Sequence, residues 1–356
     1  MKIGLIGLPN SGKTTIFNAL TKSHVEVSAY SNAKAEPNLA IVDVGDDRVF
    51  KLSKMYCPKK TTFATLEIMD FPGMTDETSN TPTFSRDVFQ SIKNMDALAI
   101  VLRNFPEDMA GESTPLKDLE QMNTELILSD MVLTERRFER IEWGNKRGKK
   151  TNETVIEERA LHKIRDQLND EKPIRDLELD RDEQKAIRGL QFLTQKPLMV
   201  ILNSAEANFG KNEALLDQMR QSCEIVEFAG TFEMELSRLN DGQEIQLFME
   251  DMGIMESARA RLTRMAYKIL GYISFFTVGE DEVRAWNIHS GYNAMQAAGV
   301  IHTDLMRGFI RAECFSYQHL VDLGSEKAVK ESGKFRLEGK NYIVNDGDIL
   351  SFRFNV

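Results

Sequence analysis

Residues 7–14, near the start of the chain, constrain its fold more than any other feature. Their sequence is GLPNSGKT, in which two glycines separated by four residues precede a lysine and a threonine. A short apolar run, 2–6, precedes this loop, and the pattern of 14–22 predicts a helix after it. Such glycines let backbone N–H groups face a phosphate, and the helix N-terminus adds partial positive charge. The flanking elements disfavour the alternative, an incidental glycine turn, so we predict a phosphate-binding loop in an α/β domain.

The residue types in this loop assign roles to single side chains. Lys13 supplies positive charge to the β- and γ-phosphate oxygens and to the transition state, and the Thr14 hydroxyl is a predicted Mg²⁺ ligand. The sequence identifies no general base. The other loop residues that we expect to contact a nucleotide are Asn10, Ser11, Gly12 and Thr15.

A second motif, Asp70-Phe71-Pro72-Gly73, follows a predicted strand over 61–69. A carboxylate at Asp70 can hold Mg²⁺ through water, and Gly73 lets a backbone N–H approach a γ-phosphate. Taken alone, the motif is better explained as an ordinary turn that ends a strand. Downstream of a phosphate loop, it predicts the second half of the same site.

The third motif follows the apolar strand pattern of 198–202 and would contact the base. Guanine-binding switch proteins carry Asn-Lys-x-Asp at this position, whereas this chain has Asn203, Ser204, Ala205 and Glu206. Asn203 still offers hydrogen bonds to a purine, but the lysine is replaced by Ser204 and the aspartate by the longer Glu206. The change favours adenine or weak selectivity. Ala229, after the predicted strand 225–228, is expected to contact the nucleotide as well.

The sequence predicts three domains. A nucleotide-binding domain over 1–116 and 189–270 is interrupted by a charged segment, 117–188, whose apolar spacing predicts two antiparallel helices joined near 144–150. After a helix over 256–270, short strands and turns predict a small α+β domain over 273–356. Asp346-Gly347 predicts a hairpin between strands 342–344 and 349–354.

Composition narrows the setting in which the chain works. With 45 Lys and Arg against 55 Asp and Glu, the net charge of −10 argues against a general coat for nucleic acid. No apolar run approaches the ~18 residues of a membrane span, and the N-terminus lacks a secretory pattern. Three well-separated cysteines have no metal-type spacing. We therefore expect a cytoplasmic protein with no membrane partner.

In order, the three motifs resemble those of the YchF-type Obg-like ATPases, and the resemblance covers nearly the whole chain. The C-terminal part carries its most specific matches: Val283–Trp286, Gln296–Asp304, Gly308–Glu313 and Phe352–Val356. The resemblance implies a P-loop G domain with a mainly parallel sheet, an inserted coiled-coil hairpin and a C-terminal ubiquitin-like (β-grasp) TGS domain. It also implies ATP preference and ribosome association. We expect a monomer.

This chain departs from the family pattern in the segments that change on hydrolysis. The family's switch-I threonine, a Mg²⁺ ligand, aligns with Lys34, and 74–80 lack the family's glycines and lysines. Met74 cannot orient water, and the loop 104–115 contains no histidine. Asn10 is a candidate K⁺ ligand, because K⁺-stimulated relatives place asparagine there; a turn-forming asparagine is the alternative.

These features predict Mg²⁺-dependent binding of ATP with slow hydrolysis, in a switch associated with the ribosome or with translation and stress. A non-hydrolysing nucleotide-gated scaffold and a GTPase remain alternatives. The basic tip, 146–150, would contact rRNA phosphates or would simply be a solvated turn.

Overall fold

The computed structural model describes residues 1–21, 25, 37–72, 86–106, 112–148, 150–239 and 241–355. Predictions made for Lys34, Gly73, Met74 and the rest of 74–80 lie outside these residues. Contacts divide the chain into two compact units, one of residues 1–41 with 67–262 and the other of 42–66 with 263–356. None of the described helices is both long and apolar enough to cross a bilayer.

The described strands form two sheets. In chain order the strands are β1 (Lys2–Ile6), β2 (Asn38–Asp43), β3 (Lys60–Thr62), β4 (Thr65–Asp70), β5 (Ala97–Asn104), β6 (Leu198–Ser204), β7 (Glu224–Phe228), β8 (Tyr272–Thr277), β9 (Glu282–His289), β10 (Phe309–Ser316), β11 (Arg336–Glu338) and β12 (Asp348–Phe354). The first sheet has the order β2-β4-β1-β5-β6-β7, and the second has the order β11-β10-β12-β8-β9-β3.

The helices fill most of the remaining described chain. They are α1 (Lys13–Thr21), α2 (Asp47–Tyr56), α3 (Arg86–Lys93), α4 (Pro115–Lys146), α5 (Asn152–Asn169), α6 (Arg181–Ile187), α7 (Glu213–Arg220), α8 (Gly230–Leu236), α9 (Gly242–Asp251), α10 (Ala258–Leu270), α11 (Ala294–Ile301), α12 (Thr303–Arg307), α13 (Tyr317–Leu323) and α14 (Glu326–Glu331).

The first sheet owes its centre to three strands that are almost wholly apolar. Strands β1, β5 and β6 are buried along nearly their full length, and β1 pairs in parallel with both β4 and β5. Continuous apolar runs of this kind are typical of parallel strands covered on both faces. Because parallel strands end at the same edge of a sheet, β1, β4 and β6 bring their carboxyl ends together. The three predicted motifs begin at these ends.

The helical insertion is a hairpin of α4 and α5, as predicted. Its arms are held by a bidentate ion pair between Arg137 and Glu157 and by contact of the Phe138 and His162 rings. Asp130 on α4 fixes the hairpin to the chain before β6, since its carboxylate accepts the N–H groups of Leu193 and Thr194. The middle of α4 is therefore fastened to the chain that leads back into the first sheet.

The second unit contains the ubiquitin-like arrangement. Strands β8 and β9 form an antiparallel hairpin, α11 follows, and β12 returns in parallel to β8. The segment 42–66 also belongs to this unit, where β3 pairs in parallel with β9 and Arg48 forms an ion pair with Asp346. The predicted domain boundaries stay predictions. The division by contacts differs from them in assigning 42–66 and 263–270 to the second unit.

Two local predictions were wrong. The strand predicted over 61–69 is two strands, because β3 joins the second sheet and β4 the first. The hairpin predicted across Asp346-Gly347 does not form, because the Tyr342 carbonyl accepts the Ala294 N–H and the Val344 N–H donates to the Tyr292 carbonyl, at the start of α11. Turn residues were present, with Gly347 at φ +84°, but the strand that pairs antiparallel with β12 is β10.

Candidate nucleotide-binding site

The phosphate loop lies between the end of β1 and the start of α1, as predicted. Its shape requires both glycines. Gly12 has φ +83°, and a Cβ there would lie 2.2 Å from the Asn203 side-chain nitrogen. A Cβ on Gly7 would lie 2.5 Å from the Val101 carbonyl oxygen. Asn10 also adopts a positive φ, +60°, which asparagine tolerates better than most residues.

Lys13 is held inside this loop. Its Nζ donates hydrogen bonds to the carbonyl oxygens of Gly7, at 3.0 Å, and Leu8, at 2.8 Å. Burial lowers the pKa of Lys13 to about 8, although the negative charge of Asp70 opposes the shift. Among the described residues, the hydrogen-bond acceptors of this buried cation are backbone carbonyls, which it can exchange for phosphate oxygens, the stronger acceptors.

The two predicted Mg²⁺-binding side chains meet. The Thr14 hydroxyl donates to Asp70 Oδ2 at 2.9 Å, although 56 positions separate the two residues in sequence. Asn38, at the start of β2, approaches the same oxygen at 3.4 Å. Burial raises the pKa of Asp70, and the hydrogen bond from Thr14 and the charge of Lys13 oppose that shift.

The second carboxylate oxygen of Asp70 indicates what this pair can hold. Oδ1 is buried and has no hydrogen-bond partner among the described residues. An unpartnered buried carboxylate oxygen is costly unless a cation or water completes it. Carboxylate and hydroxyl oxygens are ligands that suit Mg²⁺, which keeps several waters of its own. The residues therefore fit a magnesium ion.

Ser11 is a further buried group in the loop without a partner. The residue is only 2% exposed, and its buried hydroxyl makes no hydrogen bond within the described chain. Thr15, the next predicted contact residue, is buried in the first turn of α1. Both therefore lie at the loop, but only Ser11 brings an unsatisfied side-chain atom to it.

Asn203 links the phosphate loop to the base side of the site, meaning the part formed by the predicted base contacts at 203–206 and by Ala229. Its Nδ2 donates to the Ser11 carbonyl at 3.1 Å, and its Oδ1 accepts the Gly230 N–H at 3.1 Å. The residue is 3% exposed. Its oxygen and one of its two amide hydrogens are therefore already used in holding two loops together, which is a different use from the purine contact predicted from sequence.

The other predicted base-side residues differ in burial and in hydrogen bonding. Ser204 is buried and bonded to neighbouring side chains, whereas Glu206 is exposed in a short 3₁₀ helix, Glu206–Asn208. Ala229 is buried directly after β7, and its N–H donates to the Glu233 carboxylate at 3.1 Å. Glu206 is thus the member of this group whose side chain is open to solvent.

Sequence reasoning missed several residues that support the base side. Glu227 accepts hydrogen bonds from Ser204 and Asn212, and Arg261 pairs with Glu233 and packs 4.5 Å from the Phe228 ring centroid. These residues are distant in sequence and belong to no motif. The one available signal was Glu227 itself, a charged residue between the apolar Val226 and Phe228 of β7.

At the hairpin tip the predicted basic cluster is partly engaged. Trp143 is 60% exposed, and the Arg147 guanidinium lies 3.4 Å from the centroid of its ring. Lys146 forms an exposed ion pair with Glu142 at 2.7 Å. Lys149, which belonged to the predicted cluster, lies outside the described residues. The tip thus presents an aromatic ring covered by a cation.

Comparisons with known proteins cover both units. A family model described as a 50S ribosome-binding GTPase matches residues 2–136. A model for the C-terminal domain of YchF GTPases, described as a protein of unknown function (DUF933), matches residues 272–355.

The chain is similar over its full length to curated relatives that are named ribosome-binding ATPase YchF. The relative from Bacillus subtilis (strain 168) is 38% identical over 99% of both chains. The relative from Pasteurella multocida (strain Pm70) is 39% identical over 100% of this chain and 99% of its own.

A solved structure extends the similarity to the fold. The YchF GTPase of Schizosaccharomyces pombe superposes with a TM-score of 0.83 at 29% identity, covering 99% of this chain and 97% of that one. The likeness spans the phosphate-loop unit, the helical insertion and the C-terminal sheet together.

Proposed function

Because this chain belongs to the YchF family, we propose that it is a Mg²⁺-dependent purine-nucleotide switch that prefers ATP, hydrolyses it slowly and acts on the ribosome. One observation carries the nucleotide part of the proposal. The Thr14 hydroxyl and an Asp70 carboxylate oxygen lie 2.9 Å apart beside the buried Lys13, and the other Asp70 oxygen has no hydrogen-bond partner within the part of the chain that the structure describes. This set of groups serves a triphosphate with its metal ion and has no evident use in folding alone.

The phosphates are bound by groups of the loop itself. Lys13 exchanges the carbonyls of Gly7 and Leu8 for phosphate oxygens, and the N-terminus of α1 contributes its partial charge. Asn10, Ser11, Gly12 and Thr15 complete the loop around the anion, and Gly73, beyond the described residues, remains a proposed γ-phosphate contact. Mg²⁺, held by Thr14 and through water by Asp70, would neutralise charge as the terminal phosphate leaves.

The base side supports adenine over guanine. Neither the lysine nor the short aspartate of a guanine site is present, since Ser204 and Glu206 take their positions. Asn203 retains one free amide hydrogen beside the loop, and Ala229 closes the site with a small side chain. GTP remains the competing ligand.

Slow turnover is proposed because the chain lacks the usual means of orienting water. Met74 follows Asp-x-x-Gly, and a thioether cannot position a nucleophilic water as a glutamine side chain does. Lys34 likewise cannot ligate Mg²⁺ as a threonine can. Asn10, already at positive φ, is proposed as a K⁺ ligand, and equal turnover in K⁺ and Na⁺ would remove that part of the proposal.

Calorimetric titration with ATP, GTP and ADP in Mg²⁺ tests binding. We expect ATP to bind more tightly than GTP, Lys13→Ala to abolish binding, and Lys51→Ala, at an exposed lysine of α2, to leave it unchanged. Failure of both triphosphates to bind below millimolar concentration would refute the proposal.

Single-turnover phosphate release then tests hydrolysis. Release that is faster in the native protein than in Lys13→Ala supports the ATPase. Equal rates would leave a nucleotide-gated scaffold as the better description.

The ribosome part of the proposal follows from the names of the relatives and has its own test. We expect the protein to act as a monomer in the cytoplasm and to touch rRNA phosphates with the hairpin tip. Replacing Arg147 and Lys150 with glutamine should weaken co-sedimentation with ribosomes and reduce its dependence on salt. The same change at Arg181 and Lys185, on α6, is the matched control. Equal loss in both pairs would remove the tip from the proposal.

A further inference from the structure

Glu227 forms a hydrogen-bonded cluster on the base side of the site. One carboxylate oxygen accepts the Ser204 hydroxyl at 2.6 Å and the Asn212 amide at 2.5 Å. The other accepts the backbone N–H of Gly210 at 3.2 Å. Three donors on one carboxylate give strong, charge-assisted bonds, so the donors are held where the carboxylate is.

All three donors belong to one segment, 204–212, which connects β6 to α7. This segment contains Glu206, the exposed residue proposed to read the base. Ser204 is further fixed by Asn104 on β5, whose amide donates to its hydroxyl at 2.9 Å. Glu227 lies on β7, which pairs in parallel with β6. The segment is therefore attached at its start, middle and end to the rigid sheet.

This arrangement explains what Ser204 does in place of a lysine. A lysine at this position of a guanine site packs along the base, whereas the short Ser204 side chain is buried and bonded to Asn104, Asn212 and Glu227. Its hydroxyl is used to hold the segment, and the side chain is too short to pack along a base.

The phosphate loop is held by a separate contact. Asn203, the residue before Ser204, bonds to the Ser11 carbonyl and to the Gly230 N–H, and it makes no contact with Glu227 in the described hydrogen bonds. Asn203 thus supports the phosphate loop, and Ser204 supports the 204–212 segment, each through different partners. Substitutions can therefore test the two contacts separately.

We infer that Glu227 is a positioning residue for base selection: through Ser204, Gly210 and Asn212 it fixes the 204–212 segment and so sets where Glu206 meets the purine. The inference rests on the proposed nucleotide-binding function and adds to it the group that governs purine choice. Glu227 itself does not touch the nucleotide.

The test is calorimetric titration of the full chain with Mg²⁺ and three ligands: ATP, GTP and inorganic tripolyphosphate. In Glu227→Gln one oxygen still accepts from Ser204, while the new amide cannot accept the Gly210 N–H. Losing one charge-assisted bond predicts that the Kd for ATP rises about tenfold and that the ratio of the GTP and ATP constants moves towards one. The Kd for tripolyphosphate should change by less than about twofold. Glu235→Gln, an exposed carboxylate on α8, is the matched control and should alter none of the three.

Two results would overturn the inference. Equal weakening of all three ligands would mean that Glu227 supports the fold generally, and unchanged constants for all three would mean that the segment is fixed without it. Ser204→Ala provides a second variant, because combining it with Glu227→Gln should cost less than the sum of the single changes if they share one bond. The native protein decides the proposed function separately: if it binds neither triphosphate, that proposal fails before the variants are compared.

Discussion

Substituting Gly12 with alanine should destabilise the first unit strongly even without nucleotide. The backbone at φ +83° costs an alanine about 1–2 kcal/mol. The new Cβ would lie 2.2 Å from Asn203 Nδ2, so the buried amide must move. Its movement leaves the Ser11 carbonyl and the Gly230 N–H without partners, at about 1–3 kcal/mol each. The lower ends of these ranges together give about 3 kcal/mol.

The clash can be separated from the backbone cost by a matched variant. Gly253 has φ +67°, and a Cβ there meets nothing within 4 Å, so Gly253→Ala pays the backbone cost alone. At about 2–4 °C per kcal/mol for a unit of this size, scanning calorimetry should find a loss of about 6–12 °C for Gly12→Ala. Gly253→Ala should lose about 2–4 °C.

A double-substitution cycle identifies the responsible contact. In an Asn203→Ala background the amide that Gly12→Ala would strike is gone, so adding Gly12→Ala should cost no more than Gly253→Ala does. Equal losses for the two glycine variants in the native background would refute the reasoning. So would a full additional loss in the Asn203→Ala background.

Three further outcomes follow from the site and from the hairpin. The pKa of Lys13 is lowered to about 8, and bound phosphate should raise it, so we expect ATP binding at pH 9 to take up a proton. Calorimetry in buffers of different ionisation enthalpy measures this uptake. Lys13→Arg should abolish it. Thr14→Ala and Asp70→Asn should each raise the Mg²⁺ concentration needed for half-maximal ATP binding by about 10–100-fold, and an unchanged requirement would contradict the metal assignment. Asp130→Asn replaces an acceptor with a donor opposite the Thr194 N–H, so urea unfolding should report a loss of about 1–3 kcal/mol.

The phosphate side of the site was predictable because it is local in sequence. Residues 7–14 form one loop whose glycines, lysine and threonine each have a single physical role, and the flanking apolar runs gave β1 and α1 within a residue. The meeting of Thr14 with Asp70 was also predictable, because parallel strands bring their carboxyl ends to the same edge. Local chemistry and one topological rule were enough.

The placement of the segment 42–66 was not predictable, because it depends on contacts between residues that are distant in sequence. Arg48 is held by Asp46 and by Asp346, and the second partner lies 298 positions away. The apolar run 61–69 looks continuous, and its division at 63–64 between two sheets depends on β9 being available as a partner for β3. Periodicity reports which residues are buried but cannot report which of two sheets buries them.

The base side shows where motif comparison alone reaches its limit. Comparing Asn203–Glu206 with the guanine motif correctly marked a departure at Ser204, but a motif describes which contacts are lost and not what replaces them. The replacement is Glu227, on the neighbouring strand, and it is meaningful only with Ser204 and Asn212 already folded around it. Without an acceptor, Ser204 would be a buried hydroxyl that donates no hydrogen bond, which costs folding free energy. A buried carboxylate at Glu227 without donors would cost more still. Each residue is therefore acceptable in the fold because of the other, and this is why we propose that base selectivity depends on the pair as well as on the motif.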